Sequence, residues 1–159
     1  MTMPRSAGIL SLLLLAACAG GMGPDPGSPA AGPNPLTQVG RWALQGARDA
    51  GGQPIAAVLP GGRAVHALVF EGDRVAVEGG CNHIGGRYRI ERDGRLRVLE
   101  MQSTLMACQD QALMAADTAV TGLLEGAAQW RIAESYPEQL ILDHADGRSS
   151  HWVAVRPPQ

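Results

Sequence analysis

Three adjacent residues in the middle of the chain, Cys81, Asn82 and His83, have side chains that could do chemistry. A cysteine near a histidine is the pattern of a thiol nucleophile and its general base, which a third group usually orients. On an extended strand Cys81 and His83 would share a face about 6–7 Å apart, and no nearby residue would orient the ring. A Cys81-dependent hydrolase or thiol redox protein is therefore one hypothesis, and it requires a bend that shortens this separation.

A metal site is a second interpretation of the same stretch. Cys81, His83 and Cys108 would supply three ligands, and the fourth would come from His66, His144 or His151. No pair of these residues has the spacing of a known zinc motif. We therefore predict neither a metal nor any other cofactor.

The N-terminal residues have the composition of a bacterial export signal. Arg5 precedes an apolar run from Ala7 to Ala17, which is too short to span a bilayer as a helix. The run ends in the sequence LAAC, which resembles the lipobox of bacterial lipoproteins. We therefore predict cleavage before Cys18 and acylation of that cysteine, which would attach the protein to a membrane.

The chain is expected to have three parts. They are a signal peptide over residues 1–17, a lipidated cysteine with a Gly/Pro-rich tether over residues 18–37, and a folded domain over residues 38–156. Ala19 rather than Asp follows the lipidation cysteine, which favours the outer membrane, facing the periplasm, as the location.

Two of the three cysteines remain once lipidation takes Cys18. Exported proteins meet oxidising conditions, in which a pair such as Cys81 and Cys108 readily forms a disulfide. This crosslink would close a loop of about 27 residues and stabilise the fold by roughly 3–3.5 kcal/mol. The alternative is two reduced, buried cysteines that act as small core residues. We favour the disulfide.

The domain has many strand signals and one convincing helix signal. An apolar stripe with spacings of three and four predicts a helix between an N-cap at Asp110 and a stop at Gly126, with Asp117 off the stripe. Alternation predicts strands at 39–44, 65–70, 74–78, 87–98 (a hairpin), 128–134, 140–143 and 151–155. Because no regular strand–helix repeat is present, we predict an α+β fold. Its curved antiparallel sheet, half-barrel-like, would pack against the one main helix.

The hairpin over residues 87–98 can be predicted in register. A three-residue loop over residues 92–94 pairs Ile90 with Leu96 and Tyr88 with Val98, so that all four apolar side chains share one face. The opposite face carries Arg87, Arg89, Arg95 and Arg97. Such a face is either simply solvated or a docking surface for acidic partners or lipid headgroups.

Several short motifs, in this order, resemble the META domain, the HslJ-like family of bacterial heat-shock lipoproteins. They are GRWAL at 40–44, GGCNHIGGRY at 79–88, STLMAC at 103–108 and LEG at 124–126. The resemblance covers about residues 39–155. The residues that carry it best are Gly80, Cys81, Asn82, Tyr88, Thr104, Met106 and Cys108.

The resemblance implies a small envelope protein associated with stress tolerance or antibiotic resistance, without an established enzymatic activity. It also implies an α+β fold that has been compared with lipoprotein pilots of secretion systems, which hold an apolar partner. It assigns no role to His83 or to the tether.

We therefore expect a non-enzymatic envelope lipoprotein, a monomer, that binds an unknown periplasmic protein or an apolar ligand. The net charge of −2 gives no indication of nucleic-acid binding. Two alternatives remain open, a Cys81-dependent enzyme and a purely structural outer-membrane lipoprotein.

Overall fold

The computed structural model describes residues 34–156. Two helices, α1 at Pro35–Val39 and α2 at Gln111–Leu124, and two 3-10 turns, Ala56–Val58 and Pro60–Gly62, accompany eight strands. The strands are β1 Arg41–Arg48, β2 Ala67–Glu71, β3 Arg74–Glu78, β4 Ile84–Ile90, β5 Leu96–Ser103, β6 Ala127–Ala133, β7 Gln139–His144 and β8 Ser149–Ala154. None of these helices is long and apolar enough to cross a membrane.

The eight strands form one closed antiparallel barrel in which each strand pairs with its neighbours in sequence and β1 pairs with β8. The predicted half-barrel-like sheet is therefore wrong, and so is the α+β class, because the fold is a β-barrel with one main helix. Closure depends on the pairing of β1 with β8, from Trp42 opposite Ala154 to Arg48 opposite Ser149. These residues are about a hundred positions apart, and no local sequence pattern predicts that they pair.

The two ends of the barrel differ. At the turn end the chain enters through α1, and short turns at 72–73, 91–95 and 134–138 join neighbouring strands. The helix end carries the 3-10 turns, the loop at 79–83 and α2, which connects the end of β5 to the start of β6. The N-terminal segment and α2 therefore lie at opposite ends of the barrel.

The core fills the barrel and continues into both helices. Trp42, Phe70 and Trp152 are its largest buried side chains, and Leu36 from α1 is fully buried with them. Residues 34–37, which the sequence analysis assigned to the tether, therefore take part in the packed domain. The signal peptide, Cys18 and the rest of the tether lie outside the described residues.

The β4–β5 hairpin has the predicted register, with Ile90 opposite Leu96 and Tyr88 opposite Val98. Gly94 has a φ of 81°, the left-handed conformation that the three-residue loop requires. Tyr88 and Leu96 are buried, whereas Ile90 at the end of the strand is 40% exposed.

The four arginines of the hairpin all lie close to carboxylates of the same domain. Each has a carboxylate within 4 Å, with Asp73 next to Arg87, Asp93 next to Arg95, and Glu91 shared by Arg89 and Arg97. The charge on this face is therefore largely balanced within the domain.

The ladder between β5 and β6 is short. It contains only two residue pairs, Leu96 with Ala128 and Arg97 with Ala127. Beyond Arg97, β5 continues past the start of β6, and Val98 lines a small apolar cavity together with Leu123 and Leu124 of α2. Helix α2 thus packs against the part of β5 that has no neighbouring strand on the β6 side.

Candidate functional site

Cys81 and Cys108 form a disulfide, with their Cα atoms 6.2 Å apart. This separation lies in the usual range for the bond. It is the arrangement that the sequence analysis favoured over two reduced cysteines. The crosslink joins the loop at 79–83 to the loop that precedes α2, so the Cys81 sulfur is not a free thiol.

Asp117 is the residue around which this end of the barrel is organised. It projects from α2 and is only 3% exposed. Its Oδ1 accepts hydrogen bonds from His66 Nε2 at 2.8 Å and the Cys81 amide at 3.3 Å, and its Oδ2 accepts from the Asn82 amide at 2.7 Å and Asn82 Nδ2 at 2.9 Å. All four partners are donors, which is the environment that a buried carboxylate needs.

Asn82 connects Asp117 to the segment at residues 104–106. Its Oδ1 accepts from the Met106 amide at 2.8 Å and from the Thr104 hydroxyl at 3.3 Å. The Thr104 hydroxyl in turn accepts from the His83 amide at 3.0 Å. We call Asp117, His66, Asn82 and Thr104 the Asp117 network. Together with the disulfide it holds residues 104–108 in one conformation.

Gly79 and Gly80, which precede Cys81, must be glycines because other parts of the domain approach their backbone closely. A Cβ on Gly80 would overlap the Asp117 carboxylate and lie 2.7 Å from His66 Nε2. Gly79 has a φ of 94°, and a Cβ there would overlap the Val65 carbonyl. The backbone can therefore reach the Asp117 carboxylate only because these two positions lack side chains.

The segment that the Asp117 network holds presents apolar side chains to solvent. Leu105 is 99% exposed and Met106 is 51% exposed. Next to them lies a groove of about 910 Å³ between residues 103–107, which we call the rim, and the outer face of α2. The helix contributes Met114, Ala115, Thr118, Thr121 and Gly122 to this α2 groove.

Tyr88, the remaining motif residue, acts at the opposite end. Its hydroxyl accepts from Asn34 Nδ2 at 2.8 Å and donates to the Gly72 carbonyl at 3.0 Å. The ring packs edge-on against Phe70, and burial raises the pKa of the hydroxyl. Tyr88 therefore binds the segment that precedes α1 to the barrel, and it does not line the α2 groove.

Sequence reasoning did not predict the buried pair of Asp117 and His66, since it considered His66 only as a possible metal ligand and placed Asp117 outside the apolar stripe of α2. Asp117 was placed off the buried stripe because acidic side chains on a helix normally face water, yet it adjoins the buried Ala116. The available signal was the glycine pair before Cys81, which indicates a close approach by another element. Within residues 34–156 no three His, Cys, Asp or Glu side chains come together as a possible metal site.

A model of the META domain matches residues 34–156, which is the whole described part of the chain. The chain belongs to the META domain family. The motif residues of this META domain thus form the disulfide, contribute Asn82 and Thr104 to the Asp117 network and place Met106 in the rim, while Tyr88 lies at the turn end.

Two solved structures share the fold of this META domain. An NMR structure of a protein from Burkholderia xenovorans has 23% sequence identity, covers 84% of this chain and 98% of its own, and gives a TM-score of 0.63. A second NMR structure has 19% identity, covers 74% of this chain and 90% of its own, and gives a TM-score of 0.50. At these identities the likeness shows the fold alone. No curated protein matches the chain.

Proposed function

We propose that this META protein is a non-enzymatic lipoprotein of the bacterial envelope that binds a partner at the α2 groove. The observation that carries the proposal is Leu105, which is 99% exposed on a segment held in place by a buried polar network. A role in envelope stress tolerance or antibiotic resistance would follow from that binding.

An exposed leucine is common on protein surfaces, but this one is held in an unusual way. Thr104 and Met106, on the two sides of Leu105, both bond to Asn82, and Cys108 is crosslinked to Cys81, so Leu105 lies between anchored positions. A surface that is already ordered loses less entropy when a partner binds to it. The adjacent groove is also within the size range of binding sites, which is about 300–1,000 Å³.

The non-enzymatic part of the proposal is supported by how the reactive residues are used. Cys81 shares its sulfur with Cys108, and the imidazole of His66 is fully buried against Asp117. A Cys81-dependent enzyme would need a free thiol with a base in hydrogen-bond reach. The disulfide therefore favours binding over catalysis.

The lipid anchor is part of the proposal because of the sequence, in which an apolar run ends in a lipobox at Cys18. In the described domain the chain enters at the turn end, and the α2 groove lies at the helix end.

Site-specific photocrosslinking in cells tests the proposal. A photoreactive amino acid at Leu105 should form a discrete crosslinked product, because this side chain borders the groove. The matched control is Tyr136, which is 95% exposed but lies in the turn at 134–138 at the opposite end. Products at both positions, or at neither, would contradict binding at the groove and favour a purely structural lipoprotein.

A further inference from the structure

A second cavity adjoins the α2 groove. It has a volume of about 360 Å³, lies on the outer face of β3, β4 and β5, and is lined by Arg74, His83, Gly85 and Gln102 together with Ser103 and Thr104 of the rim. Ser103 and Thr104 also line the α2 groove. The two cavities therefore meet at the end of β5. We call the second one the Arg74 cleft.

The Arg74 cleft has a cationic group without a close partner. Eight other arginines in the described part of the chain have a carboxylate within 4 Å, whereas Arg74, like Arg48, Arg63 and Arg92, has none there. Among these four, Arg74 is the one that lines the cleft next to the rim, although Glu71 and Glu78 line a neighbouring cavity with it. Glu71 is opposite Arg74 in the β2–β3 hairpin but forms no ion pair with it. On the other side Arg74 is opposite Arg87, whose charge Asp73 balances. A guanidinium in this position suits a carboxylate that comes from outside the domain.

We propose that the α2 groove and the Arg74 cleft together bind one extended peptide segment that carries a carboxylate. Apolar side chains of the segment would lie against Leu105 and the face of α2, and its carboxylate would bind Arg74, with His83 beside it. The carboxylate is an Asp or Glu side chain of the segment. This proposal rests on the proposed function and names its class of partner.

The lining of the groove favours a peptide over an acyl chain. Apolar side chains lie there among amides and hydroxyls, namely those of Asn82, Ser103, Thr104, Gln111, Thr118 and Thr121, and the one exposed carboxylate of the lining is Glu125, which follows the C-terminal end of α2. An acyl chain gains nothing from such groups, whereas a peptide backbone can exchange hydrogen bonds with them. The carboxylate of the same segment would then bind Arg74 in the Arg74 cleft.

A peptide-pool experiment on the full-length protein in detergent micelles tests the inference. The probes are two pools of random hexapeptides, one with a free C-terminal carboxylate and one amidated, and bound peptides are identified by mass spectrometry. Peptides with an Asp or Glu residue should be enriched in both pools, and enrichment confined to peptides with a free C-terminus would overturn this assignment. An exposed ion pair contributes up to about 1 kcal/mol, so we expect an enrichment of about threefold to fivefold over neutral peptides.

Substitutions at Arg74 separate charge recognition from other effects. Arg74→Ala should abolish the enrichment, and Arg74→Glu should shift it towards basic peptides. Arg92→Ala is the matched control, because Arg92 also lacks an ion pair within the described residues but lies in the turn at 91–95. It should leave the enrichment unchanged.

The outcomes separate this inference from the proposed function. Enrichment of acidic peptides that survives Arg74→Glu, or the absence of bound peptide from both pools, overturns the inference. Crosslinking at Leu105 would still stand in either case. If Leu105 forms no crosslink in cells, the proposed function itself fails.

Discussion

Removing the Asp117 carboxylate should destabilise the domain more than any other single change at the helix end. Asp117→Ala takes the acceptor away from four donors. His66 Nε2 is fully buried, and leaving such a donor unpaired costs about 1–3 kcal/mol. The donors on Cys81 and Asn82 are partly exposed, so water can replace the carboxylate and each loses about 0.5–1 kcal/mol. For one buried and three partly exposed donors, we expect a total loss of about 2.5–6 kcal/mol in the free energy of unfolding.

Asp117→Asn is the informative second variant, because it keeps the shape and one acceptor oxygen. His66 could accept from the new amide by moving its proton to Nδ1, which has no partner among the described residues. The cost then reduces to two unpaired donors, the buried His66 Nδ1 and the partly exposed Cys81 amide that would face the new NH2 group, together with the lost charge, about 2–3 kcal/mol. The Asn variant should therefore lie between the wild type and Asp117→Ala.

Urea unfolding under non-reducing conditions measures these differences, and tryptophan fluorescence reports them because Trp42 and Trp152 are fully buried. Thr118→Ala is the control, since this exposed hydroxyl bonds only to the Met114 carbonyl within α2. It should change stability by less than about 0.5 kcal/mol. If Asp117→Ala is no more destabilising than this control, the Asp117 network does not organise the helix end.

Three further predictions concern the same domain. Replacing both Cys81 and Cys108 by Ala should lower the free energy of unfolding by about 3 kcal/mol, measured by urea unfolding, and reduction of the wild type should reproduce this loss. Gly80→Ala should lower the melting temperature, since its methyl group would overlap the Asp117 carboxylate, whereas Gly94→Ala is the milder comparison because it strains φ without a clash. Burial lowers the pKa of His144 from 6.5, so the unfolded chain binds this proton more tightly than the folded one. The resulting stability is complete above about pH 6.5 and is lost as the pH falls towards the lower folded pKa, and His144→Gln should flatten this part of a stability–pH curve.

Local sequence patterns predicted the local structure well. The β4–β5 hairpin was predicted in register because alternation and the Asp-Gly turn act on the same few residues. Helix α2 begins after its predicted N-cap, Asp110, whose side chain accepts from the amides of Ala112 and Leu113. Both features depend on neighbours within a few positions.

The errors arose where distant residues decide the structure. Closure of the barrel requires β1 to pair with β8, and nothing in either strand specifies the other. The apolar part of α1, with Leu36, was assigned to the tether because a five-residue helix is too short to show periodicity. Asp117 was assigned to the solvent side because the donors that satisfy it come from residues 35 to 51 positions away. Polar residues that a fold buries in pairs cannot be recognised from either partner alone.

Because β5 and β6 share only two residue pairs, the barrel has fewer backbone hydrogen bonds there than between its other neighbouring strands. A ring of strands opens with the least loss where the fewest backbone hydrogen bonds close it, and local unfolding starts at such places. The two pairs lie at the start of β5 and of β6, whereas the rim follows the other end of β5, and the edge of β5 beyond Arg97 faces α2 instead of a strand. We therefore expect local unfolding of the barrel to begin at this seam, with faster amide hydrogen exchange at Ala127 and Ala128 than in the longer ladders.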